Sequence, residues 1–297
     1  MSPDRRALLQ IHFCVVLWGF TAILGKLITL PAAHLVWWRL LLVSAALVWL
    51  PRVWRAVRAM RSRELVVFTG IGAVIALHWL TFYGSVKLAN ASVAATGMAI
   101  APVVTALIEP WLMRTRFQPA NLLLAVLVIP GVVLIIGGIP STMQVGFWVG
   151  ALSGALAGAF NAFNKLHLGS HDATGVTAVE LAAAFLLVAA VTPWLAGDAV
   201  VVPNARDFGW LLALAIGCTL VPFVLSLVAL RHVSAFTAQL AINLEPVYAV
   251  AIAAVFLGET RDLDARFYFG VVIVLAAVFA HAAFTARHET PPPSSIQ

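Results

Sequence analysis

Ten long apolar runs, set apart by short polar or turn-forming stretches, fill almost the whole chain. They cover residues 8–28, 34–52, 65–85, 91–113, 120–138, 146–166, 175–196, 208–229, 234–257 and 266–286. Each approaches the ~20 residues that a helix needs to cross the ~30 Å hydrocarbon core of a bilayer. The separators are Pro31, the Arg52 to Glu64 stretch, Asn90, Arg114 to Pro119, Pro140, Gly169 to Asp172, Pro203 to Asp207, Arg231, and Gly258 to Arg266. The runs are continuous and do not alternate with a period of two, which selects helices over a membrane barrel. Of the 297 residues, 62% are hydrophobic and 10% charged. A soluble domain carries about a quarter charged residues, so this chain could not cover a water-facing surface. Its wealth of Leu, Ile, Val and Phe also excludes a disordered chain. The expectation is an all-α polytopic membrane protein with ten transmembrane helices.

The net charge of +6 does not point to nucleic acid, because its placement follows membrane topology. With the N-terminus inside, twelve Lys and Arg fall on the cytoplasmic side: Arg5, Arg6, Arg52, Arg55, Arg58, Arg61, Arg63, Arg114, Arg116, Lys165, Arg231 and Arg287. Four fall outside, namely Lys87, Arg206, Arg261 and Arg266, while Lys26 and Arg39 lie within spans near the external mouth. Both termini are therefore expected in the cytoplasm. The apolar run after Arg5 and Arg6 is too long for a signal peptide and has no small-residue cleavage site, so it reads as the first span. Cys14 and Cys218 sit within apolar runs and suit neither a disulfide framework nor a metal site.

The chain also repeats itself. Phe82 to Val103 aligns with Ser226 to Val247 at an offset of 144, placing Lys87 on Arg231, Ala91 on Ala235, Ala94 on Ala238 and Pro102 on Pro246. At an offset of 139, Leu17, Gly19, Lys26 and Leu27 match Leu156, Gly158, Lys165 and Leu166. The division is into two five-helix halves, residues 1–140 and 141–287, followed by a proline-rich tail, 288–297, expected to be disordered. An odd number of spans per half makes the second half enter from the opposite face, the inverted-repeat plan of many secondary transporters.

The sequence resembles the EamA-type branch of the drug/metabolite transporter superfamily. The resemblance rests on Leu17-Trp18-Gly19 with Lys26, Ala101-Pro102-Val103, Ala229-Leu230-Arg231 with Ser234-Ala235, Glu245-Pro246-Val247 and Leu257-Gly258-Glu259. It departs where the family places an acid closing the fourth span, since Thr115 stands opposite Glu259. Within the branch the overall character is similar to the YddG-type exporters of aromatic amino acids.

Several residues could build a transport site. Pro102 and Pro246 interrupt equivalent spans, and paired interruptions mark a transporter's binding site. Gly146, Gly150, Gly154 and Gly158 recur every four residues and allow a close helix contact, static or sliding, at the interface between halves. This strip puts Asn161 in the interior. His78 lies deep in the third span with Trp79, Phe82 and Tyr83 beside it, and intramembrane polar groups face cavities. Tyr83 also suits an interfacial belt. Gln239, Asn243 and Pro246 share one face of the ninth span, with Glu245 roughly opposite Asn243 on a straight helix and so not obliged to line the same cavity. Glu245 is a candidate proton-coupling group or a structural carboxyl, and Glu109 snorkels or pairs with Arg114. For Lys26 and Arg39, snorkelling to the interface is the expectation.

No phosphate loop, HExxH pair, GxSxG elbow or acidic metal cluster is present. The expectation is a non-enzymatic secondary transporter of the cytoplasmic (cell inner) membrane, without cofactor or metal, and a monomer is sufficient. The resemblance implies export of aromatic and other apolar amino acids by alternating access through a central cavity. Trp18, His78, Trp79, Phe82, Tyr83, Met98, Asn161, Gln239 and Asn243 are its candidate binding residues. Other metabolites or cationic drugs are the alternative cargo. A membrane-embedded enzyme on lipid or prenyl substrates would need paired acidic or His residues at one interface, and only isolated ones occur.

Overall fold

The computed structural model describes residues 3–114, 117, 119–197, 200–233, 238, 241–242 and 244–288. Among them there is no strand. The helices are α1 (Pro3–Leu27), α2 (Ala32–Val48), α3 (Pro51–Ala59), α4 (Ser62–Leu88), α5 (Ala91–Gly97), α6 (Ala101–Met113), α7 (Pro119–Gly137), α8 (Gln144–Leu168), α9 (Ala173–Ala196), α10 (Ala205–Leu212), α11 (Val221–Ala229), α12 (Glu245–Phe256) and α13 (Ala265–His288). Six helical stretches are long and apolar enough to cross a membrane, and the α2–α3 pair, bent by 89°, would be a seventh. Shorter apolar helices cover Val126–Gly137, Glu245–Phe256 and Ala265–Ala280. The molecule is thus an all-helical, multi-pass membrane protein. The expected tail, the Ser234-Ala235 pair, Thr115, Arg116, Gln239 and Asn243 lie outside the described residues.

Local chemistry sets several of the helix ends. Asn90, Asp172 and Asn204 accept hydrogen bonds from the N–H groups of Val93, Gly175 and Asp207, each capping one donor three residues downstream. The Arg52 to Glu64 separator is not a loop. Pro51 starts the short helix α3, whose Arg52, Arg55 and Arg58 stand exposed or half-buried while Val53 is buried, so it lies nearly perpendicular to α2 as an amphipathic helix.

The fourth apolar run is likewise not one straight helix. Pro102 has no N–H for the carbonyl of Met98, four residues back, and Ala101 takes that carbonyl instead. The chain tightens into a 3₁₀ turn over Met98–Ile100 between α5 and α6. Pro246 stands at the equivalent place, in the first turn of α12. A different break precedes α11. Pro222 lacks a donor as well, and Ala213–Leu220 is wound as π-helix, with Val221 N–H bonding Ile216 O.

Two apolar cores result. The larger joins α1, α2, α4, α8, α9 and α11 and surrounds a central cavity. The smaller joins α7 and α13, with Val128, Ile135, Phe267, Val274 and Val278 buried between them and Phe147 of α8 against them. The glycine strip of α8 is a close contact between the two parts of the chain. A Cβ on Gly146 would strike Ala89, on Gly150 the Ser85 hydroxyl, on Gly154 the Met98 backbone, and on Gly158 the Ala101 carbonyl and Thr105.

Candidate functional site

The central cavity draws its walls from α1, α2, α4, α8, the 3₁₀ turn, α11 and α12. Its apolar wall is largely aromatic, with Trp18, Trp79, Phe82, Phe160 and Phe223. The Phe160 and Phe223 rings stack at 6.2 Å, and Trp79 meets Phe223 edge-on at 6.3 Å. Met98, Ala157 and Ile242 complete the apolar lining.

The polar lining is Thr21, Arg39, His78, Asn161 and Glu245. Arg39 is 3% exposed, not snorkelling. Its Nε donates to Thr219 Oγ1 at 2.6 Å and its Nη1 to Tyr83 Oη at 2.7 Å, while Nη2 stands 3.5 Å from Cys218 O. Its guanidinium carbon sits 3.8 Å above the Trp79 ring, a cation–π contact. A guanidinium has five N–H donors, so donors remain for a ligand in the cavity. Thr219 and Cys218 reach it from the π-wound turn before Pro222, and Thr219 in turn donates to Leu214 O at 2.7 Å.

Three expectations need correction here. Arg39 lies in the site because Tyr83, Thr219 and Trp79 supply inside the bundle what snorkelling would have sought outside. Tyr83 is neither in a belt nor on the cavity wall; it is fully buried behind Arg39 and positions it. Glu245 does line the cavity, from the first position of α12. It is buried and near enough to Arg39 for the two charges to attract.

His78 is placed by α8. Ser153 donates its hydroxyl to His78 O at 2.9 Å, and His78 Nδ1 lies 2.8 Å from Ser153 Oγ and 3.0 Å from Ser153 O. The ring's Nε2 takes no part in these bonds. Trp18, Trp79, Phe82, Met98 and Asn161 line the same chamber. Pro102 and Pro246 stand beside it, each next to the turn that delivers a lining residue, Met98 or Glu245. The sequence reading did not single out Thr21, Phe160, Phe223 or Ile242. The Phe160 signal was available, since it adjoins Asn161 and follows Gly158 by two. Phe223 had only its proximity to Pro222.

Contacts at both ends of the bundle tie the residues before Gly138 to those after it. At one end Arg52 donates to Asp172 at 2.8 Å and His171 Nε2 lies 3.2 Å from Glu64. At the other, the Asp207 carboxylate accepts from Thr29 N and Oγ1 at 3.0 and 2.6 Å. There too Glu259 accepts from the N–H groups of Ala91 and Ser92 at 3.0 and 2.9 Å, capping α5.

Apolar helices of membrane-spanning length closed around an amphipathic chamber are the build of a membrane transporter. The chain belongs to the EamA-like transporter family, whose profile matches residues 5–137 and again 144–282. It is 26% identical to an uncharacterized transporter of Pseudomonas aeruginosa strain PAO1, over 94% of each chain. A protein of known crystal structure superposes with a TM-score of 0.67, covering 95% of this chain and 99% of the other at 17% identity, a likeness of fold. Among the described residues no cluster of three His, Cys, Asp or Glu could hold a metal ion.

Proposed function

We propose that this transporter exports small amphipathic zwitterions, aromatic and other apolar amino acids foremost, across the cytoplasmic membrane. The observation that carries this is the pairing of Arg39 and Glu245 in one aromatic-walled chamber. A zwitterion offers a carboxylate to the first, an ammonium to the second, and an apolar side chain to the rings. Glu245 is also where a proton and the substrate's ammonium would compete, which makes it the proton-coupling group of this reading. A cationic drug, the alternative cargo, would meet the fixed positive charge of Arg39 without offering it a partner.

Alternating access by two inverted halves has support in the contacts. As α8 lies on α4 and on α5–α6, so α1 lies on α11 and on α12, and α7 lies on α13. The ties at the two bundle ends are placed to open in turn. Orientation follows the Lys and Arg count, with both termini cytoplasmic. The test is thiol protection. Met98→Cys, in a variant lacking Cys14 and Cys218, should react with a water-soluble reagent and be protected by phenylalanine but not by a quaternary ammonium cation. Protection by the cation alone would reverse the assignment.

A further inference from the structure

A second buried polar cluster lies on α9, reached by one side chain of α8, apart from the chamber's lining. Asn164, Thr177 and Glu180 are each fully buried. Thr177 Oγ1 makes no hydrogen bond, and the Asn164 amide and the Glu180 carboxyl find no partner beyond a loose approach to each other. Thr177 and Glu180 share a face of α9 at a spacing of three, and Asn164 faces Glu180 from α8. Gly72 of α4 seals the place, because any Cβ there would strike the Glu180 carbonyl.

No counter-charge reaches Glu180 among the described residues. The helices packed on α9 are α2, α3, α4 and α11. On α2 the titratable groups are His34 and Arg39, and Arg39 is held by Tyr83 and Thr219. On α3 they are Arg52, Arg55 and Arg58, with Arg52 bound to Asp172. On α4 they are Arg63, Glu64, His78, Tyr83 and Lys87, of which Glu64 meets His171, His78 meets Ser153, Tyr83 accepts from Arg39 and Lys87 donates to Ile28 O. None stands on α11. On α8 Lys165 is spent on Leu230 O and Val233 O, and His167 is exposed.

An unpaired carboxylate so buried is far more costly than a neutral carboxyl. A primary amide is also complementary to the acid form: it can accept the acid O–H through Oδ1 and return an N–H to the other oxygen. We infer that Glu180, with Asn164 and Thr177, is a proton-binding site separate from Glu245, and that the proton held there is a coupling ion of transport. Its link to the chamber is α8, where Asn161, one turn before Asn164, lines the cavity. Binding adds one proton to the carboxylate, and release follows when α9 moves from α4 and water reaches the oxygens. The coupling half of this inference rests on the proposed amino acid export; the binding half does not.

Infrared spectroscopy of the full chain in liposomes tests the binding half. Part of the protonated-carboxyl band at neutral pH should vanish in Glu180→Gln and persist in Glu245→Gln. A wild type without such a band, or a Glu180→Gln variant that keeps it whole, overturns the site. If Glu180→Gln does not fold, Glu180→Asp should keep the band, shifted. Phenylalanine efflux from vesicles loaded with a pH dye tests coupling. Wild type should move protons with phenylalanine, and Glu180→Gln should move phenylalanine with fewer protons per phenylalanine than wild type. Wild-type proton co-movement in Glu180→Gln overturns the coupling. Absence of phenylalanine flux in wild type overturns the export reading and the coupling built on it, while the infrared result still decides the site.

Discussion

Arg39 is the residue on which the chamber's chemistry turns, and position alone did not reveal it. Its place in the second span looked like an approach to the external mouth, because a sequence shows depth and not partners. The groups that hold it lie 44 and 180 residues away, at Tyr83 and Thr219. A lysine would keep the charge but not the planar fork or the stacking on Trp79. A charge-assisted hydrogen bond contributes about 1.5–3 kcal/mol, so Arg39→Lys is expected to weaken phenylalanine binding roughly ten- to hundredfold. Equilibrium binding to the purified protein checks this; affinity within twofold of wild type would place the carboxylate elsewhere. Tyr83→Phe, which removes only one of Arg39's acceptors, should have the smaller effect. For Trp79→Ala and Phe160→Ala, the aromatic contact is worth about 0.5–1.5 kcal/mol beyond area. Competition assays should therefore show phenylalanine and tryptophan losing several-fold relative to alanine and valine. An equal loss across all four would make these rings general packing.

Among the elements, the apolar runs and their prolines were legible because span length and a missing N–H are properties of local sequence. The π-wound turn before Pro222 and the perpendicular α3 were not, since the first needs Arg39 as a partner and the second is short and amphipathic. The glycine repeat of α8 was visible as a pattern, and its partner surface was not. Gly154→Ala sets two effects against each other: alanine favours a helix by about 1 kcal/mol, whereas overpacking against the Met98 backbone costs about 1–3 kcal/mol. The collision should win, lowering the unfolding temperature in detergent. Gly209→Ala in α10, with nothing within 4 Å of the new Cβ, should be neutral or stabilising. At the Arg52 end, partial burial raises the Asp172 carboxyl's pKa, but hydrogen bonds from Arg52 and the Gly175 N–H outweigh it, leaving the net value below the ordinary one. A depressed folded-state value means the contribution is present above the unfolded-state pKa and is lost as pH falls through the folded one. The pair is half open to solvent, so Arg52→Ala should cost under about 1 kcal/mol. Unfolding of wild type and variant should converge in acid.

At the scale of the whole molecule, composition and runs sufficed for a multi-pass helical membrane protein, and the residue resemblance sufficed for the family. The chamber's walls required the fold, because seven separate elements contribute to them from Trp18 to Glu245. Orientation is open to a direct check: single cysteines in α3 should resist a membrane-impermeant reagent applied outside intact cells, and ready labelling would invert the topology. The central claim is that Arg39 and Glu245 make this an exporter of apolar zwitterions, and flux in purified proteoliposomes tests it most directly. With vesicles preloaded in turn with phenylalanine, tryptophan, alanine and a lipophilic quaternary ammonium dye, the account predicts saturable efflux of the aromatic amino acids, abolished by Arg39→Gln, and none of the dye above protein-free vesicles. Saturable efflux of the dye, undiminished in Arg39→Gln and unaccompanied by any amino acid flux, would contradict it.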